Sequence, residues 1–211
     1  MSLDVTAVAL SAGLGYLIGS LAFGYWIAKA KGIDIFSVGS RSPGATNVKR
    51  SVGKAAGNAV FVLDFVKGLV ATGWPALAYS NYGSVDAYAL VGLFAAVIGH
   101  SYSLFNGFRG GKGVASMLGG VVALMPLAAL IGIGVWLVVF YSTRYVSVAS
   151  IIMAMSLPVS NYFMRSSDAM LWVSIALAVV VVARHKSNIT RLMRGEENRF
   201  EKTDSDSEEV S

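Results

Sequence analysis

Long apolar stretches alternate with short polar segments along this chain. Seven apolar stretches can be distinguished, at about residues 5–28, 57–80, 87–105, 114–124, 127–143, 146–161 and 168–183. A helix that crosses a bilayer needs about 20 residues, because each residue adds about 1.5 Å along the helix axis. The pattern therefore predicts an all-α integral membrane protein, a bundle of about seven transmembrane helices of which some are short.

The stretch 114–124 is too short to cross a bilayer alone. Met125 and Pro126 follow it and predict a shallow turn, because proline is favoured in the first turn of a new helix. An alternative with five spans joins residues 114–143 into one helix. Within the first stretch, Gly15 and Gly19 have the spacing that lets two membrane helices approach closely.

The composition supports a membrane location. Hydrophobic residues make up 55% of the 211 residues, charged residues make up 14%, and the mean hydropathy is +0.62. Soluble domains carry about 25% charged residues, so this chain has too few charges to cover its apolar surface in water. It has no Cys and two His, which excludes disulfides and thiolate chemistry and argues against a metal centre rich in His.

Basic residues are concentrated on one side of the predicted spans. Fifteen of the 17 Lys and Arg residues lie in 29–54, 106–113 and 184–202 and at Arg144, whereas the opposite loops contain only Arg165. Cytoplasmic loops of membrane proteins are rich in Lys and Arg. The basic segments and the C-terminus are therefore expected in the cytoplasm and the N-terminus in the periplasm.

The chain divides unevenly into a membrane part and a short tail. Residues 1–200 are expected to form a single polytopic membrane domain. Residues 201–211 contain five acidic residues and one lysine among mostly polar neighbours. We expect this segment to be a disordered cytoplasmic tail.

Two polar segments on the basic side have residue types that bind anions. Residues 39–50, GSRSPGATNVKR, combine helix-breaking glycine and proline with hydroxyl, amide and guanidinium groups. Residues 106–113, NGFRGGKG, place four glycines and two cations before a helix that begins near Val114, an arrangement typical of a phosphate cradle. It is not a Walker A loop, because Gly113 follows Lys112 where Ser or Thr is required.

Residues 184–196 form a third such segment. In a helix, Arg184, Asn188 and Arg191 share one face, and His185 lies beside them. Each segment alone is also compatible with an ordinary cytoplasmic turn or with a basic helix on anionic lipid headgroups. Together the three segments suit chemistry between a water-soluble anion and a partner in the lipid phase.

Three further polar residues lie in or beside the apolar stretches. Asp64 and Lys67 are spaced i, i+3, and a lone charge at mid-membrane costs about 2.5–3.5 kcal/mol, so we expect the two to be paired. The pair is either a structural ion pair or a support for the site. Ser147 follows Arg144 closely and is expected near the same cytoplasmic surface.

The order and spacing of these segments resemble the bacterial acyl-phosphate:glycerol-3-phosphate acyltransferases, the PlsY family. The matching motifs are GS…PGATNVKR, GH…FNGFRGGKGVAS, RYVSVAS and RHKSNITRLMRGEE, and the likeness extends from about Gly15 to Phe200. The first motif of the family usually reads GSGNPGATN, so Arg41 and Ser42 stand where Gly and Asn are usual. Ser103 replaces a frequent proline.

The resemblance implies a multi-pass enzyme of the bacterial inner membrane whose active site faces the cytoplasm. It would transfer a fatty acyl group from acyl phosphate to the 1-hydroxyl of sn-glycerol 3-phosphate. The products would be lysophosphatidic acid and inorganic phosphate, in the first step of phospholipid biosynthesis. The resemblance further implies no metal, no cofactor and no nucleic-acid partner, membrane lipids as surroundings, and functional coupling to an enzyme that produces acyl phosphate.

The resemblance also assigns site residues. The catalytic residues it implies are Lys112, Ser147, His185 and Asn188. The substrate-binding residues it implies are Ser40, Asn47, Arg50, Gly110, Gly111 and Gly113. Glu196 matches a position with a structural role in the family. The proton of the reacting hydroxyl can pass to His185 or to a phosphate oxygen of the substrate.

Three alternatives predict different features. An acyl-CoA-dependent acyltransferase requires a His-x₄-Asp pair, but the fifth positions after His100 and His185 are Phe105 and Thr190. An organic-phosphate transporter predicts anion sites near mid-membrane, whereas the basic segments here lie at one interface. A lipid-binding scaffold does not need a glycine-rich loop.

Overall fold

The computed structural model describes residues 3–80 and 85–200, and every regular element within them is helical. A single 3-10 turn, Leu104–Asn106, follows the fifth of the α-helices. The helices are α1 Val5–Ser20, α2 Phe23–Ala30, α3 Ala45–Ser51, α4 Lys54–Ala78, α5 Val85–Ser101, α6 Val114–Leu124, α7 Pro126–Thr143, α8 Val146–Phe163, α9 Asp168–Arg184 and α10 Lys186–Met193. The tail predicted at 201–211 lies outside the described residues.

The predicted all-helical membrane bundle is confirmed. Five segments are long and apolar enough to cross a bilayer, namely Val5–Ala30, Lys54–Ala78, Asp86–Asn106, Pro126–Thr143 and Val146–Phe163. A sixth span results if α9 and α10, which meet at a bend of 56°, are taken as one. The remaining apolar stretch forms α6, whose 11 residues are too few to cross alone.

The alternative that joins residues 114–143 into one helix is wrong. Helix α6 ends at Leu124, and Met125 leaves the helical conformation with φ −135° and ψ 58°. Pro126 then opens α7, because its missing N–H would have no partner at that position in any case.

Glycines let α1 pack directly on α5. A Cβ at Gly15 or Gly19 would collide with the backbone of α5 at Gly92 and Ala96. The close helix contact predicted from the spacing of these two glycines is therefore confirmed.

Helices α4 and α6 approach each other in the same way. A Cβ at Gly68 would collide with the backbone of Ser116, and a Cβ at Gly119 would collide with the backbone of Phe65. This close approach brings the start of α6 next to the middle of α4. The polar side chains that both helices carry in that region consequently lie within reach of one another.

A small apolar cluster anchors the loop between α2 and α3. Ala28, Ile35, Val48 and Val60 are fully buried and join α2, the loop, α3 and α4. Because Ile35 belongs to the loop itself, the polar residues that follow it are attached to a rigid base. The loop is thereby held at the end of the bundle to which the other polar segments also converge.

Candidate active site

Asn47 shapes the loop of the first polar segment. Its side chain is buried, and its Oδ1 accepts a hydrogen bond from the backbone N–H of Ser40 at 2.9 Å. Its Nδ2 donates to the carbonyl oxygens of Val38 and Ser42 at 3.1 and 2.9 Å. The structure thus gives Asn47 the hydrogen bonds of a residue that holds the loop closed and presents Ser40.

Arg184 holds the glycine-rich segment against the end of α5. The N–H of Gly111 donates to the carbonyl oxygen of His100 at 3.1 Å. Arg184 Nη2 donates to the carbonyl oxygens of Gly111 and Ser101 at 2.8 and 3.3 Å. Because the N–H of Gly111 is bound to His100, it is not free to donate to a ligand. Gly113, with φ +80°, turns the chain into α6 in the left-handed conformation that glycine adopts readily.

An open cavity of about 620 Å³ lies between the first, second and third polar segments. This volume is within the usual range of small-molecule sites. The residues that line it are Ser40, Arg41, Ser42, Gly110, Lys112, Ala183, Arg184, Lys186, Ser187 and Thr190. The structure thus brings predicted residues from both loops and the beginning of α10 around one space.

Lys112 is a cation with a strongly lowered pKa at this end of the bundle. Burial lowers the pKa of its ammonium group to about 8, and the carboxylate of Glu197 opposes this shift. Three guanidinium groups add to the lowering, those of Arg191, Arg184 and Arg50. Several positive charges therefore act on one point, which is the electrostatic environment of an anion site.

Glu197 connects the third polar segment to α8. Its Oε1 accepts hydrogen bonds from Ser147 Oγ at 2.8 Å and from Asn188 Nδ2 at 2.7 Å, and its Oε2 accepts one from Arg191 Nε at 2.8 Å. Burial raises the pKa of the Glu197 carboxyl, but these hydrogen bonds outweigh it and the net shift is downward. Asn188 Oδ1 is buried without a hydrogen-bond partner in the part of the chain that is described.

His185 is fixed in one tautomer at the bend between α9 and α10. Its Nδ1 lies 2.7 Å from the carbonyl oxygen of Val181, so Nδ1 carries the proton and Nε2 is left as an acceptor. Burial, followed by the charge of Lys112, lowers the pKa of His185 to about 4. The ring is therefore neutral at physiological pH.

Arg50 is held by the last residues of the described chain. Its Nη2 donates to the carbonyl oxygen of Asn198 at 3.1 Å, and its guanidinium lies 4.4 Å from the centroid of the Phe200 ring. The N–H of Phe200 donates to the carbonyl oxygen of Arg144 at 3.0 Å. Residues 197–200, named here the C-terminal strap, therefore join α3, α10 and the turn between α7 and α8.

The role of Glu197 was not predicted from the sequence, where Glu196 was the glutamate matched to the family. The side chain of Glu197 is 5% exposed and carries the three hydrogen bonds, whereas Glu196 is exposed. Two adjacent glutamates in a short polar segment give no local signal that separates them. Within 3–80 and 85–200, no three His, Asp or Glu side chains come together in a way that would hold a metal ion.

A helical membrane bundle with a cationic cavity at one end defines a class of membrane-embedded proteins that bind a phosphate-bearing molecule at the interface. Comparison with known proteins narrows this class. The family model described as glycerol-3-phosphate acyltransferase matches residues 9–195, and the chain belongs to this family. It is therefore an integral membrane acyltransferase that forms lysophosphatidic acid.

Individual relatives agree with this assignment. The glycerol-3-phosphate acyltransferase of Aquifex aeolicus is 44% identical over 187 residues, which are 88% of this chain and 95% of the relative. That of Geobacter sulfurreducens is 40% identical over 199 residues, 94% of this chain and 97% of the relative.

Two solved structures of PlsY (YgiH), an integral membrane glycerol 3-phosphate acyltransferase, have the same fold. The glycerol 3-phosphate form superimposes with a TM-score of 0.86 at 40% identity, over 92% of this chain and 96% of that structure. The lysophosphatidic acid form gives a TM-score of 0.83 at the same identity, over 92% and 95%. The PlsY-family fold implied by the sequence motifs is thereby confirmed.

Proposed function

We propose that the protein transfers a fatty acyl group from acyl phosphate to the 1-hydroxyl of sn-glycerol 3-phosphate. The observation that carries the proposal is the cavity in which Lys112 and Arg184 face Ser40 at the end of an apolar bundle. An acyl phosphate brings its own leaving group, so the protein mainly has to hold two anions together and stabilise the charge that develops between them. A cluster of cations at a lipid interface does both.

The glycerol phosphate is assigned to the cavity. Lys112 and Arg50 supply charge to its phosphate, and Ser40 supplies a hydroxyl donor. Gly110 and Gly113 shape the wall that carries Lys112, and Gly111 does so through its bond to His100. Asn47 acts through the loop that presents Ser40 rather than by direct contact, since its amide is bound within that loop.

Ser147 and Asn188 are assigned to the glycerol part of the substrate. Glu197 holds one donor of each, which leaves Asn188 Oδ1 as a buried acceptor within the described chain. We assign Asn188 Oδ1 to the 2-hydroxyl of glycerol 3-phosphate and His185 Nε2 to the reacting 1-hydroxyl, because one O–H group donates to one acceptor. The 1-hydroxyl oxygen bonds to the acyl carbon, the carbon–oxygen bond to phosphate breaks, and the electron pair leaves with the phosphate.

We assign the proton of the reacting 1-hydroxyl to a phosphate oxygen of the substrate rather than to His185. The second pKa of a phosphate monoester is about 6, whereas that of His185 is lowered to about 4 by burial and by Lys112. His185 then orients the hydroxyl without keeping its proton. His185→Gln keeps an acceptor that cannot be protonated, so we expect its kcat to stay within about tenfold of the parent. A loss of the order of 10²–10⁴ would instead assign His185 as the general base.

The site is proposed to face the cytoplasm of a bacterial inner membrane. The support is the concentration of Lys and Arg at the ends of the helices that carry the cavity. Its lipid-soluble donor would then come from an enzyme that makes acyl phosphate on the same side, and its product would remain among the membrane lipids. A reporter fused after Met1 is expected outside the cytoplasm and one fused after Met193 inside it.

The decisive experiment offers glycerol 3-phosphate with either palmitoyl phosphate or palmitoyl-CoA to purified protein in detergent. We expect lysophosphatidic acid from palmitoyl phosphate alone, with one inorganic phosphate released per product. Lys112→Ala from an identical preparation controls for contaminating acyltransferases and is expected to raise the KM for glycerol 3-phosphate. Product from palmitoyl-CoA alone would overturn the assignment of the donor.

A further inference from the structure

A buried polar cluster lies directly beneath the glycine-rich segment. Asp64 Oδ1 is 2.7 Å from Lys67 Nζ and 3.5 Å from His100 Nδ1, and His100 Nδ1 is 3.2 Å from Ser116 Oγ. All four side chains are buried. Lys67 also donates to the carbonyl oxygen of Leu21 at 2.7 Å, at the break between α1 and α2. The cluster therefore joins α4, α5, α6 and the break between α1 and α2.

The Asp64–Lys67 ion pair predicted from the sequence is present, but it does not account for the whole cluster. A buried charge needs an opposite charge and hydrogen bonds. Asp64 and Lys67 supply opposite charges to each other, and Lys67 also donates to the carbonyl of Leu21. His100 is an additional member from a different helix. Its ring occupies the space between the ion pair and the glycine-rich segment.

His100 meets that segment with both its backbone and its ring. Its carbonyl oxygen accepts the N–H of Gly111 at 3.1 Å. A Cβ placed on Gly111 would collide with His100 Nε2, and the three atoms nearest to that Cβ all belong to the His100 ring. A Cβ placed on Gly110 would instead collide with the backbone of His100 and Ser101. The His100 ring is thus in direct contact with Gly111 and limits how closely this residue can approach α5.

We propose that His100, oriented by Asp64 and Ser116, is a positioning residue. Its ring sets the distance of Gly111 from α5 and hence the position of Lys112 in the cavity. This inference rests on the proposed function, in which Lys112 binds the phosphate of glycerol 3-phosphate. A small cavity beneath the segment is bordered by Asp64, His100 and Gly111 and also by Pro43. The first polar segment, to which Pro43 belongs, therefore borders the same small cavity as the cluster.

The geometry gives a double-mutant test. Gly111→Ala introduces a methyl group whose collision is with the His100 ring alone, so we expect it to raise the KM for glycerol 3-phosphate about tenfold or more and to change kcat less. His100→Ala removes the ring that contacts Gly111 and is expected to raise the same KM. In the double variant the collision is gone, so the combined effect is expected to fall well below the product of the two single effects.

Gly110→Ala is the matched control. Its methyl group would meet backbone atoms of His100 and Ser101, which truncation of the His100 side chain leaves in place. The Gly110→Ala and His100→Ala effects on KM are therefore expected to multiply. If Gly111→Ala and His100→Ala also multiply, the ring does not position the segment and the proposal is overturned.

Folding is followed separately. Thermal unfolding and gel filtration in detergent report whether each variant is native, and Thr72→Val, at a buried hydroxyl elsewhere on α4, is expected to leave both KM values and kcat unchanged. Should His100→Ala fail to fold, His100→Asn keeps a donor near Asp64 but removes the ring atoms under Gly111, and the same cycle applies.

Separate measurements test the substrate bound by Lys112 and the contact between His100 and Gly111. Equilibrium binding of glycerol 3-phosphate to Lys112→Ala tests whether Lys112 binds this substrate at all. Unchanged binding would overturn the assignment of Lys112, whereas coupling between positions 100 and 111, read from unfolding temperatures as well as from KM, tests the contact itself. The KM for acyl phosphate is expected to change less than twofold in His100→Asn.

Discussion

Ser147 and Asn188 donate hydrogen bonds to the same carboxylate oxygen, Glu197 Oε1, at 2.8 and 2.7 Å. The two donors belong to α8 and α10, which are not otherwise joined by a polar contact between these side chains. The shared acceptor keeps the two donor atoms close together, because both hydrogen bonds end on one atom. Glu197 thereby limits how far apart the two proposed catalytic groups can lie.

Glu197→Gln tests this arrangement. The amide oxygen can still accept from Ser147 and Asn188, but the amide N–H group then faces Arg191 Nε, donor against donor. Loss of a hydrogen bond between charged groups costs about 1.5–3 kcal/mol, and we expect kcat/KM for glycerol 3-phosphate to fall at least about tenfold. The control is Glu196→Gln at the exposed neighbouring position, for which initial rates equal to those of the parent are expected.

The pKa of Lys112 gives the enzyme an alkaline limit. The ammonium group is charged below its pKa of about 8 and neutral above it, so its attraction for a phosphate is lost as the pH rises through 8. We expect kcat/KM for glycerol 3-phosphate to decline above about pH 8, since this parameter reports the free enzyme. A bound phosphate favours the charged form, so kcat is expected to decline only at higher pH.

Lys112→Arg separates this cause from others. A guanidinium stays charged over the accessible range, so the alkaline decline in kcat/KM is expected to disappear even if the activity itself is lower. Glu197→Gln has the opposite effect, because Glu197 raises the pKa of Lys112, and its decline is expected to begin at lower pH. A decline that persists unchanged in Lys112→Arg would assign it to another group.

Much of this architecture follows from the order of residues. Apolar stretches of helical length and a one-sided distribution of Lys and Arg predict the bundle and the end at which the site forms. The helix break at Leu21 and Ala22 is not predicted, because both residues are apolar and the side chain that binds the exposed carbonyl of Leu21, that of Lys67, lies 46 positions later in the chain. Glu197 and His100 were missed for the same reason, since their roles depend on contacts between distant segments.

Arg41 occupies a position that suits glycine. Its φ is +54°, in the left-handed region that costs a residue with a Cβ about 1–2 kcal/mol, and the family motif usually has Gly there. Arg41→Gly removes this cost but increases the conformational entropy of the unfolded chain, which offsets part of the benefit. We expect a net gain in folding stability that raises the unfolding temperature in detergent by about 2–4 °C. Arg41→Lys keeps the strain and is expected to show no gain.

The effect of the charge of Arg41 is checked with Arg41→Asn. Asparagine tolerates the left-handed region better than most residues, and it removes the charge as glycine does. An equal change in the KM for glycerol 3-phosphate in the Gly and Asn variants would therefore be an effect of the lost charge at the cavity. An unfolding temperature that falls in Arg41→Gly would contradict the strain argument.

Phe200 is expected to contribute to substrate affinity although it lies outside the cavity. Its ring holds the guanidinium of Arg50 at 4.4 Å, and such a contact contributes about 0.5–2 kcal/mol. Phe200→Leu keeps an apolar side chain but has no ring face, so we expect the KM for glycerol 3-phosphate to rise between about twofold and thirtyfold, while Phe200→Tyr stays near the parent. Because Arg50 also donates to the carbonyl of Asn198, part of its orientation survives in Phe200→Leu.

Removal of the guanidinium in Arg50→Met should accordingly raise the KM further, and a double variant should add nothing to Arg50→Met. If Phe200→Leu still raises the KM in the Arg50→Met background, the C-terminal strap acts on the site through some other contact than the one between these two side chains.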